Sequence, residues 1–311
     1  MFTTTQLVPD VSVGIPVTRD YVHKVDASEV LLTEWQETAP DRYHILANWP
    51  KEHGFYSSRH GLHDPLLLAE SVRQAVPLLS HAAYGVPFGH RQSWSSLSFS
   101  LTPAALAVGA CDSAVELHVA CPDVVRRAGR LASVTMEVDL VRDGVRVGSA
   151  QTRFANHAPA LYNRLRGPYA DIARATGRAL PVEPPVAPAR VGRDHPDDVV
   201  LSASDTPGRS RLRVDLGHPV LFDHPVDHVP GMLVLEAARQ AAQAVAHPRT
   251  TTVIGMDAVF ARYAEFDAPC WVHASLLDSP GRGTTRAIVS LVQNDVCLFS
   301  GVITLLETAA C

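Results

Sequence analysis

The pattern Glu-x-x-Arg-Gln-Ala occurs twice in this chain, beginning at Glu70 and again at Glu236, 166 residues later. Each copy sits on an apolar run with helical spacing. Leu66-Leu67-Leu68-Ala69 precedes the first and Met232-Leu233-Val234-Leu235 precedes the second. One pattern on two similar apolar helices constrains the fold more than any single motif. It predicts one structural unit used twice, each unit carrying a central helix with the same charged pair.

The length of 311 residues suits two domains. The stretch from Thr176 to Asp198 holds Pro181, Pro184, Pro185, Pro188 and Pro196 and has no sustained apolar period, so it reads as a linker. The expected division is residues 1–175, a Pro/Ala-rich linker at 176–198, and residues 199–311. In each part a strand-like run comes first, Glu29 to Trp35 and Arg211 to Leu216. A His-, Pro- and Asp-rich loop follows, then a helix at roughly 65–80 or 231–247. Asp64-Pro65 suits an N-cap followed by Pro at the first helical position, and Pro230-Gly231 opens the second helix. Pro77 is placed to kink or end the first. Alternating segments follow each helix, with hairpin turns at Asp143-Gly144 and Asn294-Asp295. One helix against an antiparallel sheet, twice over, is an α+β arrangement.

Composition removes several classes of function. A net charge of −5 and a pI near 6.3 do not make the basic footprint of a nucleic-acid binder. No run of ~18 apolar residues is present, so no membrane span is expected. The start, Met1-Phe2-Thr3-Thr4-Thr5-Gln6, lacks the basic-then-apolar order of a signal peptide. The five cysteines are scattered, with no Cys-x-x-Cys, as in a reduced cytoplasmic protein. The fifteen histidines contain no His-Glu-x-x-His spacing, so neither a metal nor a cofactor is expected.

The repeated pair has two readings. Glu70, Arg73 and Gln74 share a helix face, as do Glu236, Arg239 and Gln240. On a solvated face such a pair contributes only ~0.3–0.5 kcal/mol. Both helices, however, are apolar around most of their circumference, and burying an ion pair is costly. That favours a pair lining a cleft. Gly231 adds an open helix start, where free N–H groups attract an anion or developing oxyanion.

The run Val229-Pro230-Gly231-Met232-Leu233-Val234-Leu235-Glu236 resembles the central-helix motif of hotdog-fold β-hydroxyacyl-carrier-protein dehydratases, in which the catalytic acid lies five residues beyond the Gly. Their catalytic His precedes the Pro by eight residues. Here that position is Phe222, and His224 is two residues away. A second resemblance covers nearly the whole chain. His23-Lys24, Glu29-Val30-Leu31-Leu32-Thr33, His63-Asp64-Pro65, Glu70 with Arg73-Gln74-Ala75, Tyr84-Gly85-Val86-Pro87, Asp227-His228-Val229-Pro230-Gly231-Met232 and Arg262-Tyr263-Ala264-Glu265-Phe266 are similar, in order, to the A-factor biosynthesis (AfsA-like) family, the γ-butyrolactone autoregulator synthases of actinomycetes.

The resemblance implies two tandem hotdog domains forming an intrachain pseudo-dimer. It also implies transfer of a β-ketoacyl group from acyl carrier protein to a hydroxyl of dihydroxyacetone phosphate. The ester leads to a γ-butyrolactone, butenolide or furan signal controlling antibiotic production. Glu236, Glu70 and Arg239 are the candidate catalytic residues, with bond-making expected at the second copy, where Gly231 stands in place of Pro65. Arg73, Gly231, Met232, His228 and His63 are candidate substrate contacts. Lys24 beside His23 is a further cation, and Asp64 reads as a helix cap. Two other readings stay open: a hotdog hydrolase or dehydratase of acyl thioesters, and a non-catalytic binder of a lipid-like signal. Pairing of two chains also stays open.

Overall fold

The computed structural model describes residues 14–278 and 283–308. Met1–Gln6 and Cys311, used in the sequence reading, lie outside them. The first copy runs β1 (Ile15–Pro16), β2 (Leu32–Ala39), β3 (Arg42–Trp49), α1 (Leu66–Leu78), β4 (Arg91–Leu101), α2 (Pro103–Leu106), β5 (Ser113–Arg127), β6 (Arg130–Arg142) and β7 (Val145–His157). Two short helices follow, α3 (Pro159–Arg166) and α4 (Ile172–Thr176). The second copy runs β8 (Leu201–Ser202), β9 (Arg209–Leu212), α5 (Gly231–Ala246), β10 (Thr251–Phe260), β11 (Cys270–Leu277), β12 (Thr284–Gln293) and β13 (Val296–Glu307).

The thirteen strands of the described residues form one sheet, in the order β1-β2-β3-β5-β6-β7-β4-β10-β13-β12-β11-β9-β8. The two copies meet where β4 pairs antiparallel with β10, from Ser96 opposite Val259 to Ser100 opposite Gly255. The fold is a tandem hotdog pseudo-dimer. Alternation gives each strand an apolar face against the helices: on β3, Tyr43, Ile45, Ala47 and Trp49 are buried. Wrapping explains why the helices are apolar nearly all round. Of α1 only Arg73 escapes full burial. Both Asp143-Gly144 and Asn294-Asp295 adopt positive φ and close two-residue hairpins.

Asp64 caps α1 through a 2.9 Å bond from the Leu66 N–H to its Oδ1. Pro77 does not end α1, which instead widens into a π-helical turn at Leu79–Ala83. A larger difference concerns the Pro-rich stretch. It is not a free spacer, because its later part begins the second copy. Gln74 of α1 accepts the Leu31 N–H at 2.9 Å and donates to the Glu29 carbonyl at 2.8 Å. Gln240 of α5 makes the same two bonds to Val200 and Asp198, at 2.9 and 2.8 Å. The counterpart of Glu29–Leu32 is therefore Asp198–Leu201, not Arg211–Leu216. Five prolines mask this start, and the strand it leads into, β8, is only two residues long.

Candidate active site

The two helices carry near-identical polar clusters. Arg73 donates to both oxygens of Glu70, at 2.8 and 2.9 Å, and Gln74 donates to Oε1 at 2.8 Å. Lys24 Nζ lies 3.2 Å from the same oxygen. In the second copy Arg239 donates to both oxygens of Glu236, at 2.8 and 2.5 Å, and Gln240 donates to Oε1. Arg193 takes the place of Lys24, its Nε 2.9 Å from Glu236 Oε1. Burial pushes both carboxyls up, but their cations outweigh it. Arg73 and Lys24 hold Glu70 at about 2, and Arg193 and Arg239 hold Glu236 at about 2. A carboxylate so strongly paired is a poor proton acceptor near neutrality.

What surrounds the clusters differs. His53 and His218 occupy matching places 165 residues apart, each accepting two backbone N–H groups through Nδ1. Two residues beyond His53 is Phe55, whose ring lies 4.1 Å from the guanidinium of Arg193, the partner of Glu236. Two residues beyond His218 is Val220, which leaves a cleft of about 700 Å³ above Lys24, Glu70 and Arg73. Glu236 is fully buried, and Arg239 instead reaches a separate hollow of about 260 Å³.

The larger cleft joins the two copies. Glu70, Arg73 and Lys24 come from the first, while Gly231, Met232 and His228 come from the second. Trp94, Met232, Phe260, Leu298 and Phe299 make an apolar wall. Gly231 opens the sixteen-residue α5, whose first-turn N–H groups have no intrahelical acceptor. A Cβ on Gly231 would stand 3.1 and 3.2 Å from ring atoms of Trp94, so the close packing of that indole depends on glycine.

His228 Nδ1 is 2.7 Å from Asp227 Oδ1. A carboxylate only accepts, so Nδ1 carries a proton, and in the neutral ring Nε2 keeps its lone pair. Asp227 is itself pinned by the Tyr162 hydroxyl at 2.8 Å and by Arg166 Nε at 3.2 Å. Burial raises the Asp227 carboxyl, but His228, Tyr162 and Arg166 hold it well below the usual carboxylate range. Arg166 also binds both oxygens of Glu265 and lies 4.3 Å over the Tyr263 ring. Glu265 and Arg262 lie beyond the end of β10, not on a strand. His23, on the cleft wall, is pushed down to about 3 by burial, with His81 and Arg73 adding to the effect.

The structure thus gathers Glu70, Arg73, Gly231, Met232 and His228 in one place. It puts Glu236 in the core and Arg239 and His63 at the smaller hollow, where His63 Nε2 meets Ser113 Oγ at 2.9 Å. Sequence reasoning missed Asp227, Tyr162, Arg166 and Arg193. The adjacency Asp227-His228 was visible, but nothing in spacing foretells that α3 returns to lock it. Arg193 lay hidden in the supposed linker.

Fold and cleft together define a tandem hotdog protein with an interdomain pocket that is polar at one end and apolar along its wall. The chain belongs to the A-factor biosynthesis hotdog domain family, whose model matches residues 6–156 and 175–309. A 2-oxo-3-(phosphooxy)propyl 3-oxoalkanoate synthase from Streptomyces virginiae is 44% identical over 91% of this chain and 95% of its own length. The synthase of the same name from Streptomyces coelicolor is 39% identical over 92% of this chain and 90% of its own. Among solved structures, the 12:0-ACP thioesterase from Umbellularia californica superimposes with a TM-score of 0.51 at 7% identity, over 85% of this chain and 94% of its own. That likeness concerns the fold alone. No helix among the described residues is long and apolar enough to cross a membrane.

Proposed function

We propose that the cleft transfers a β-ketoacyl group from acyl carrier protein to a hydroxyl of dihydroxyacetone phosphate. The observation that carries this reading is the meeting, in one cleft, of a cationic cluster, an open helix start, an oriented imidazole and an apolar wall. The acyl tail lies along Trp94, Phe260 and Phe299, and the thioester carbonyl faces the N–H groups of Gly231 and Met232. Arg73 and Arg262 hold the phosphate, for which guanidinium is suited. His228 Nε2 takes the proton of the attacking hydroxyl. The tetrahedral oxyanion is held at the start of α5, where one donor is worth ~2.7–4 kcal/mol to a transition state. Collapse breaks the C–S bond, and the proton on His228 passes to the departing thiolate.

Glu70 acts in this reading as a positioning residue, fixing Arg73 and Lys24. The Glu236 cluster keeps the architecture but not the chemistry, which reverses the emphasis expected from the sequence. The relatives' printed name, a phosphooxypropyl oxoalkanoate synthase, supports the substrate pair. The decisive incubation combines the chain, β-ketoacyl-loaded acyl carrier protein and dihydroxyacetone phosphate, with products read by mass spectrometry. The phosphorylated ester or its butenolide is expected. Free acid alone would make the protein a hydrolase, and retained ligand without turnover would make it a binding protein.

Gly231→Ala tests the helix start. Alanine in a helix is ordinarily more stable than glycine by roughly 0.5–1 kcal/mol. Folding should therefore survive, while the added methyl crowds Trp94 and shields the oxyanion donors. Steady-state kinetics should show kcat/KM reduced about 10²-fold or more. Unchanged kinetics would remove Gly231 from the mechanism.

A further inference from the structure

Three metal-ligand side chains converge on the outer face of the sheet, on the side away from both central helices. Along β3, Tyr43, Ile45 and Ala47 are buried and His44 points the other way. Along β5, Val115, Leu117 and Val119 are buried while Glu116 and His118 point outward. The strands are antiparallel, with His44 directly opposite His118 and Glu116 two residues along on the same face. His44 Nε2 lies 2.9 Å and His118 Nε2 3.1 Å from the same oxygen, Glu116 Oε2. All three ligand atoms fall within 4.8 Å of one another. Their side chains remain 25%, 52% and 38% exposed, so an ion can reach them. They sit in an open cleft of about 1100 Å³ that does not communicate through the sheet with the candidate active site.

We propose that His44, Glu116 and His118 bind one zinc ion, leaving its fourth position to water on the cleft side. A tetrahedral zinc ion with ligands at about 2.0–2.1 Å keeps neighbouring donor atoms about 3.3–3.4 Å apart. The two carboxylate–imidazole separations already lie within a few tenths of an ångström of that. Two imidazoles and one carboxylate suit zinc and its late-transition neighbours, not magnesium or calcium, which take oxygen ligands. As found, both Nε2 atoms must carry protons in order to donate to Glu116. In the neutral ring, binding through Nε2 moves that proton to Nδ1 through solvent. The Gln36 amide, 3.4 Å from His44 Nδ1, is placed to accept a hydrogen bond from the Nδ1–H through its oxygen once the amide turns. The site owes nothing to the acyl-transfer chemistry.

The test uses the full chain, stripped of metal with a chelator. Titration with zinc chloride by calorimetry should give one ion per chain. Glu116→Gln, His44→Ala and His118→Ala should each weaken that binding about tenfold or more, with far-UV circular dichroism and acyl transfer unchanged. Cobalt substitution should give tetrahedral d–d bands without a thiolate charge-transfer band. Absence of saturable binding, or equal affinity in parent and variants, would overturn the site. A thiolate band would do the same by moving the ion to a cysteine, with Cys111 and Cys297 the exposed thiols among the described residues.

Discussion

His228→Ala is expected to lower kcat about 10²–10⁴-fold, the usual span for a lost general base. KM for dihydroxyacetone phosphate and the melting temperature should stay close to those of the parent chain. The expectation rests on geometry. The imidazole is about a quarter exposed, and its one short bond runs to Asp227, so its removal strands no buried charge. Asp227 retains Tyr162 and Arg166 as partners. Arg73→Ala should give the opposite split, raising KM for the phosphate substrate more than it lowers kcat. The contrast is checked by steady-state kinetics with each substrate varied in turn. Full activity in His228→Ala would remove His228 as the general base.

Glu236→Gln should cost about 3–5 kcal/mol of folding stability, the usual cost of removing one partner from a buried ion pair. The amide keeps the shape but leaves Arg193 and Arg239 without a full counter-charge, both almost wholly buried. Glu70→Gln should destabilise less, because Arg73 is 22% exposed and reaches solvent. Its effect should fall mainly on catalysis, through displaced Lys24 and Arg73. Acid unfolding supplies a second reading. Both carboxyls ordinarily titrate near 4.5 and are held at about 2 in the fold. Their contribution is therefore complete above about 4.5 and is lost as pH falls toward about 2. Urea unfolding at pH 6 and pH 3 should show a steeper loss in the parent than in Glu236→Gln. Equal slopes would detach Glu236 from this linkage.

Much of this was legible in the sequence because it rests on short-range periodicity. The two helices, the hairpins at Asp143-Gly144 and Asn294-Asp295, and the duplication all follow from local pattern. The candidate cleft was half legible. Glu70, Arg73 and Gly231 stand out in the sequence, yet it places Glu70 and Gly231 far apart, and only the pseudo-two-fold arrangement sets them on one cleft. Which copy holds the chemistry on the proposed reading was not legible. The surroundings differ at Phe55 and Val220, two loop residues, one packed on Arg193 and the other lining the larger cleft. Their effect depends on the packing of Arg193 and Lys24, which no periodicity encodes.

The pairing of β4 with β10 makes one continuous sheet of two copies that, as separate chains, would form a symmetric dimer. In such a dimer each change is made twice, so both sites must remain identical. A covalent join lifts that obligation. Lys24 and Arg193, or Val220 and Phe55, can then diverge, one copy keeping an entrance while the other becomes internal scaffolding. On the proposed reading, one half is thus free to serve as the rigid frame against which the other holds its substrates.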